Sequence, residues 1–343
     1  MFISIIIPTI NRADLLEQTI NTIIKNNKQF TAFEIIVVDN GSTDNTQMVC
    51  KKFQQEYSFF TYYYDNTPGL LTGRHLGASK AKGNILAFID DDILVSDTWL
   101  TTIHQTMATR NDIDFLTGPN LPFYHSYPPA WLQYFWTNNT NGKHCGWLSL
   151  LDFGNEVKEI SPNYVWGLNF IIRKNTFETL GGFHPDNIAK QFQHFQGDGE
   201  TGLTMKAIAK NIKALYHPAA MVYHQVPTSR MNFEYFDNRA FYQGVCNSFT
   251  DIRLKNGFGI NINESEQQKT SFYKKVKNYT KHKIKKLILT NKNTTPQEVI
   301  ELFDRFNKKL QEGYQFHQNA YHTNPLVQKW TLQENYFDYK LPQ

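Results

Sequence analysis

Carboxylates at the ends of apolar runs are the residues of this chain best placed to do chemistry. Asp90-Asp91-Asp92 follows directly on Ile85-Leu86-Ala87-Phe88-Ile89. The apolar run reads as a buried strand. A bare carboxylate cannot stay inside with it, because burial without a partner is costly or removes the charge. Three adjacent acids also repel one another, and a divalent cation that takes oxygen ligands is the usual remedy. A solvated loop or a helix-capping run would leave the same residues without chemistry. Asp39 ends a second apolar run, Ile35-Ile36-Val37-Val38, and opens the turn-rich Asn40-Gly41-Ser42-Thr43-Asp44.

The elements around these acids define where they must lie. Phe2 to Ile7 reads as a buried strand, and Pro8-Thr9-Ile10-Asn11 as the turn after it. Asn11 is placed to cap the next helix, in which Leu15, Leu16, Thr19, Ile20, Ile23 and Ile24 recur at helical spacing. A helix with Val49 and Phe53 on one side follows Asp44, then a strand over 59–64 and a helix over 73–82. The order β-α-β-α-β-α-β predicts an α/β, mostly parallel sheet with right-handed crossovers, flanked by helices. Ligands of such sheets bind outside the carboxyl ends of the strands, where Asp39 and Asp90 to Asp92 both fall. Further on, the pattern predicts helices over 97–107 and 200–210 and strands over 114–117 and 166–172. Residues 119–146 read as loop, and 214–223 as one broken or two short strands. Beyond Phe233 the pattern is mainly helical, which divides the chain at residues 1–230 and 231–343.

Composition narrows the classes. The chain has 343 residues, 41% hydrophobic and 15% aromatic, enough for a large core. A net charge of +4 is too mild to imply nucleic acid. Cys50, Cys145 and Cys246 form neither a disulfide framework nor a zinc spacing, which favours a reducing compartment. The apolar N-terminus lacks a basic lead and is broken by Pro8, so it reads as a strand and not a signal peptide. No run reaches the roughly 20 apolar residues of a membrane span. These features predict a cytoplasmic protein. Residues 267–297 hold nine lysines and no acid. Within them, residues 273–289 could form a basic amphipathic helix on the inner face of a membrane. A solvated helix face in a bundle explains the same pattern.

Pro8-Thr9-Ile10-Asn11-Arg12, Val38-Asp39-Asn40-Gly41-Ser42-Thr43-Asp44 and Phe88-Ile89-Asp90-Asp91-Asp92, in this order and spacing, resemble the nucleotide-sugar-binding half of family 2 glycosyltransferases. The resemblance covers about residues 3 to 225 and implies the GT-A fold. It also implies an inverting transfer from a nucleoside diphosphate sugar (UDP-linked above all) with Mn²⁺ or Mg²⁺ as cofactor. On this resemblance Pro8, Thr9, Asn11 and Arg12 would line the base site and Asp39 would meet the base or ribose. Arg74, Asp90, Asp91 and Arg230 would lie along the donor. The metal would rest on Asp92, with Asp90 and His224 as further ligands. Trp166, Gly167 and Asn169 would shape the acceptor side.

The acceptor hydroxyl must lose its proton as it attacks, so the reaction needs a base. Gly197-Asp198-Gly199-Glu200-Thr201-Gly202-Leu203 lies where the family carries its acidic motif. One placement makes Asp198 the base, and a shift makes it Glu200. The first is the expectation here, although Gly197 then stands where the family often has Glu. The acceptor is expected to be a saccharide or lipid-linked saccharide, in the setting of bacterial polysaccharide or glycoconjugate synthesis. A nucleotidyltransferase would share the sheet and the acids, but would want a Gly-rich basic loop after the first strand. A non-catalytic carbohydrate-binding protein would need no base.

Overall fold

A computed structural model of the chain describes residues 1–26, 30–67, 69–258, 296–337 and 341. The basic stretch 273–289 lies outside them. The first half forms as its apolar pattern dictates. Strands β1 (Ile3–Thr9), β2 (Phe33–Asp39), β3 (Phe60–Tyr64) and β4 (Ile85–Ile89) alternate with helices α1 (Ala13–Asn26), α2 (Thr46–Glu56) and α3 (Leu70–Lys80). Every residue of β1, β2 and β4 is buried, as expected for strands covered on both faces. β1 pairs in parallel with β2 and β4, and β2 with β3. Thr9 lies opposite Asp39, and Asp90 follows the last residue of β4, so the motif residues share one sheet edge.

β1 runs two residues further than the sequence predicts, through Pro8. The β1–β4 register ends at the pair Ile6 and Phe88. Pro8 therefore lies where its missing N–H costs that ladder nothing. Asn11 does not cap α1. It takes a left-handed conformation, φ 53°, and its Oδ1 accepts from Thr43 N at 2.7 Å. Asp44 does the capping from across the turn: its Oδ2 accepts from Ala13 N at 3.1 Å, while its Oδ1 accepts from Thr46 N at 3.0 Å.

The second half adds β5 (Ile93–Val95), α4 (Trp99–Thr109), β6 (Phe115–Thr117) and β7 (Asn120–Tyr124). Then come β8 (Thr137–Asn139), β9 (Gly142–Cys145), β10 (Leu150–Asp152), β11 (Lys158–Ile160), β12 (Asn169–Arg173) and α5 (Lys174–Thr179). They are followed by α6 (Glu200–Ala209), β13 (Ala214–Tyr216) and β14 (Val222–Val226). The main sheet has the order β11-β13-β6-β12-β4-β1-β2-β3, with β12 antiparallel to β4 and β6. A second sheet, β5-β14-β7-β10-β9-β8, takes three strands, β7, β8 and β9, from the segment expected to be loop. Its strands are short, and β5 and β7 find their partner β14 about a hundred residues along the chain. Cross-strand packing decides them, and local propensity does not.

Three helices follow in the described residues: α7 (Phe233–Lys255), α8 (Gln297–Thr323) and α9 (Pro325–Thr331). α7 and α8 approach closely through two glycines. A Cβ on Gly244 would sit 2.0 Å from Leu310 O, and one on Gly313 2.0 Å from Phe241 O. Phe249, Val327, Trp330 and Tyr336 join the apolar cluster that holds Phe88 and Leu203, so the core is continuous past residue 230. Trp131 and Trp147 pack with Phe135, Phe236 and Phe306 between the second sheet and the helices. No helix among the described residues is long and apolar enough to cross a membrane.

Candidate active site

The antiparallel pairing of β5 with β14 sets His224 opposite Ile93, the residue after Asp92. Gln225 N donates to Asp92 O at 3.0 Å and closes the same junction. His224 therefore sits within β14, not after it as the sequence suggested, and it reaches Asp92 by register. Its Nε2 lies 3.5 Å from Asp92 Oδ1. Its Nδ1 lies 2.9 Å from Leu148 O. A carbonyl only accepts, so Nδ1 carries the proton. Arg230 Nη1 donates to Nε2, which therefore offers its lone pair.

Asp92 is buried and faces two cations. Arg230 Nη2 donates to its Oδ2 at 2.7 Å and Arg12 Nη1 at 3.0 Å. Burial alone would raise this carboxyl; the guanidinium charges of Arg230 and Arg12 outweigh it and hold it well below the usual carboxylate range. Asp92 Oδ1 is buried without a hydrogen-bond partner. Two acceptors, Oδ1 and Nε2, thus face each other, an arrangement that a cation suits. Among the described residues no three His, Cys, Asp or Glu side chains gather to hold a metal. The protein's own donor set at Asp92 is one carboxylate oxygen and one imidazole nitrogen, which fits an ion that takes its remaining ligands from water and phosphate.

The neighbouring acids have other partners. Asp91 accepts from Thr9 Oγ1 at 2.7 Å and Arg12 at 2.8 Å, and its carbonyl accepts from Thr19 Oγ1 at 2.9 Å. Burial pushes its carboxyl up to about 6, against the pull of Arg12 and Thr9. Asp90 remains partly open and accepts from Arg74 Nη2 at 3.1 Å. Arg74 is buried, with its other terminal nitrogen 3.8 Å from Glu200 Oε2. It therefore bridges Asp90 and Glu200, where the resemblance implied a position along the donor. Gly167 makes room for it: a Cβ there would lie 2.3 Å from Arg74 Nη2. Gly167 N also donates to Glu200 Oε1 at 3.4 Å. Pro8 packs beside Gly73, whose absent Cβ would meet it at 2.8 Å.

Asp198 and Glu200 point to different sides of their loop. Gly199 between them takes φ 57° and ψ −123°, which only glycine adopts readily, and it turns the chain. Asp198 faces the core. Its Oδ1 is 2.6 Å from His184 Nδ1, and its Oδ2 accepts from Thr250 Oγ1 at 2.7 Å. Burial works against its charge, yet His184 and Thr250 hold the carboxyl below its ordinary value. Glu200 faces Arg74 and Asp90, with 27% of its side chain exposed. Burial, with Asp186 adding, raises its carboxyl although Arg74 resists. The structure thus brings Glu200 to Asp90 and leaves Asp198, the residue expected there, in the interior.

The remaining expected residues divide. Asp39 is fully buried, accepting from Ser42 N at 2.7 Å and Tyr62 Oη at 3.0 Å. Trp166 Nε1 donates to Asn163 O at 2.9 Å. Asn169 turns into the core, accepting from Trp99 Nε1 and donating to Ala220 O, both at 3.0 Å. Two residues near Glu200 carried too little pattern to be found in the sequence. Asp186 lies 3.0 Å from where a Cβ on Gly199 would stand. Arg239 of α7 has its charge favoured by Tyr235, Asp186 and Glu200 against burial.

Known proteins resemble this chain in sequence and in fold. The pattern described as "Glycosyl transferase family 2" matches residues 4–175, about half of the chain. The glucosyl-dolichyl phosphate glucuronosyltransferase of Haloferax volcanii is 21% identical over 257 residues, 74% of this chain and 78% of that protein. Glycosyltransferase GlyG of Streptococcus pneumoniae is 31% identical over 117 residues, 34% of this chain and 38% of its own. Among solved structures, the mannosyltransferase PcManGT from Pyrobaculum calidifontis, in complex with GDP-Man and Mn²⁺, has a TM-score of 0.52 and 15% identity. That alignment covers 97% of this chain and 83% of the mannosyltransferase, and it shows a shared fold. Motif order, sheet topology and these matches together place the chain in glycosyl transferase family 2, as a glycosyltransferase of GT-A fold.

Proposed function

We propose that the chain transfers a sugar from a nucleoside diphosphate donor to a hydroxyl acceptor, with inversion, and that Glu200 is the base. The observation that carries this reading is the Asp90–Arg74–Glu200 bridge, with contacts of 3.1 and 3.8 Å. It ties the end of the nucleotide-side strand to the only one of the two candidate bases that faces the cleft. A raised carboxyl suits a general base, because it lies nearer the working pH. Asp92 and His224 would hold Mn²⁺ or Mg²⁺, which supplies positive charge against the leaving diphosphate. Arg12 and Arg230 add guanidinium forks suited to phosphate oxygens. Thr9, Asn11 and Asp39 lie at the sheet edge where the base and ribose would bind, and Trp166 with Gly167 borders Glu200 on the acceptor side. A saccharide or lipid-linked saccharide is the acceptor, as part of polysaccharide or glycoconjugate synthesis on the cytoplasmic side. Residues 1–230 would form the catalytic unit, and 231–343 a helical region packed on it.

The test is a panel of UDP- and GDP-sugars with Mn²⁺, read first by thermal shift and then by release of nucleotide. A bound donor raises the melting temperature by mass action. Glu200→Gln should keep that shift and lose turnover by about 10² to 10⁴-fold. Full turnover in Glu200→Gln would reject the base assignment, and a panel with no shift would reject the donor class.

A further inference from the structure

Arg230 is engaged in a way that sugar transfer does not by itself require. It lies in a short turn directly after β14, and its guanidinium bridges His224 Nε2 and Asp92 Oδ2. These are two of the atoms a metal at Asp92 would need. Arg12 also touches Asp92, but it has Asp91 as a second acid. Arg230 has no other acid: among the described residues its side chain bonds only to this pair. The pair cannot relieve itself, because the Nδ1–H of His224 is committed to Leu148 O and both facing atoms are acceptors.

A guanidinium and a divalent ion cannot share these lone pairs, and like charges so close repel. The ion is also poorly served by the protein alone, since one carboxylate and one imidazole leave most of its coordination to phosphate and water. A diphosphate changes both terms. It completes the ion's ligands, and it offers both terminal nitrogens of Arg230 anionic oxygens in place of the one carboxylate oxygen and one imidazole nitrogen they leave.

We propose that Arg230 guards the metal position: it occupies the Asp92–His224 pair and yields it when a nucleoside diphosphate arrives, so that metal and nucleotide are taken up together. This rests on the reading that Asp92 and His224 hold the metal. Binding is then coupled through one side chain, and the coupling is reciprocal: nucleotide tightens metal as much as metal tightens nucleotide. Removing the guard strengthens metal binding alone and weakens the coupling.

The experiment measures binding, with no turnover involved. Mn²⁺ is titrated into the full chain by calorimetry and by loss of the free-ion spin resonance signal, with and without UDP or GDP. Wild type, Arg230→Ala, Arg230→Gln and Asp92→Asn are compared, each first checked by circular dichroism and melting. Arg230→Ala should bind Mn²⁺ alone at least about tenfold tighter than wild type, and nucleotide should improve that affinity less than it does in wild type. If Arg230→Ala does not fold, Arg230→Gln, which keeps a hydrogen bond without the charge, should show the same direction. The guard is overturned if Mn²⁺ alone binds both variants no more tightly than wild type while Asp92→Asn loses it; the metal reading then survives. If Mn²⁺ binds none of these proteins with or without nucleotide, the metal reading falls and the guard with it.

Discussion

Two buried aspartate–histidine pairs lie in this molecule, and they are built to different ends. Asp198 and His184 are both buried, and each carboxylate oxygen has one short partner, in His184 and Thr250. Asp92 and His224 are equally buried, yet one carboxylate oxygen has no hydrogen-bond partner and the imidazole faces it with a lone pair. Burial and residue type do not separate the two pairs. The carboxylates do: both oxygens of Asp198 are satisfied within the protein, although His184 Nε2 is left without a partner, whereas Asp92 keeps one oxygen unpartnered and is held by arginines that reach the surface, with 38% and 16% of their side chains exposed.

The largest contrast should come from removing each acid's charge. Asp92→Asn should lower transfer by about 10³-fold or more, comparable to deleting a strong electrostatic contribution to the transition state. Its fold should survive, which melting and turnover on one preparation would show. Asp198→Asn should do the reverse, costing on the order of 3 kcal/mol of stability by unbalancing a buried pair. Folded molecules should keep their activity per active site. A stable but inactive Asp198→Asn would exchange the roles of the two acids.

Acid should act next, on the buried neutral histidines. Burial pushes His184 down to about 4 and His75 to about 3, from an ordinary value of 6.5. Between those values the unfolded chain binds protons that the folded chain refuses. Stability is therefore full above pH 6.5 and is lost as pH falls toward 4. At about 1.4 kcal/mol per unit, the His184 shift accounts for roughly 3 kcal/mol by pH 4. Urea melts at pH 7 and pH 4.5 would measure the slope, and a flat profile would contradict neutral packing of His184. The smallest effect belongs to Thr250→Val, which deletes one hydrogen bond to Asp198 and should cost about 1–3 kcal/mol with transfer unchanged.

The sequence made one side of this comparison legible. Ile3–Thr9, Phe33–Asp39 and Ile85–Ile89 are apolar runs buried on both faces, so their ends, and the acids there, could be located from the residue pattern alone. The order of Asp and Glu around Gly199 could not. Whether Asp198 or Glu200 faces the cleft depends on a left-handed turn at Gly199 and on partners 14 and 52 residues away. The second sheet was hidden for a related reason: three- to five-residue strands such as Thr137–Asn139 and Asn120–Tyr124 carry little pattern of their own. His224 shows both sides, since its chemistry was readable and its place within a strand was not.

Asp44 carries one more consequence. A single carboxylate terminates two helices, holding Ala13 N with one oxygen and Thr46 N with the other. The two loops assigned to the nucleotide base are thereby riveted into one wall, with Asn11 stitched to Thr43 between them. On the proposed function, a base arriving at that wall finds its shape already cast. Little ordering is left for binding to impose, so the nucleotide end of the donor should dock as onto a rigid die.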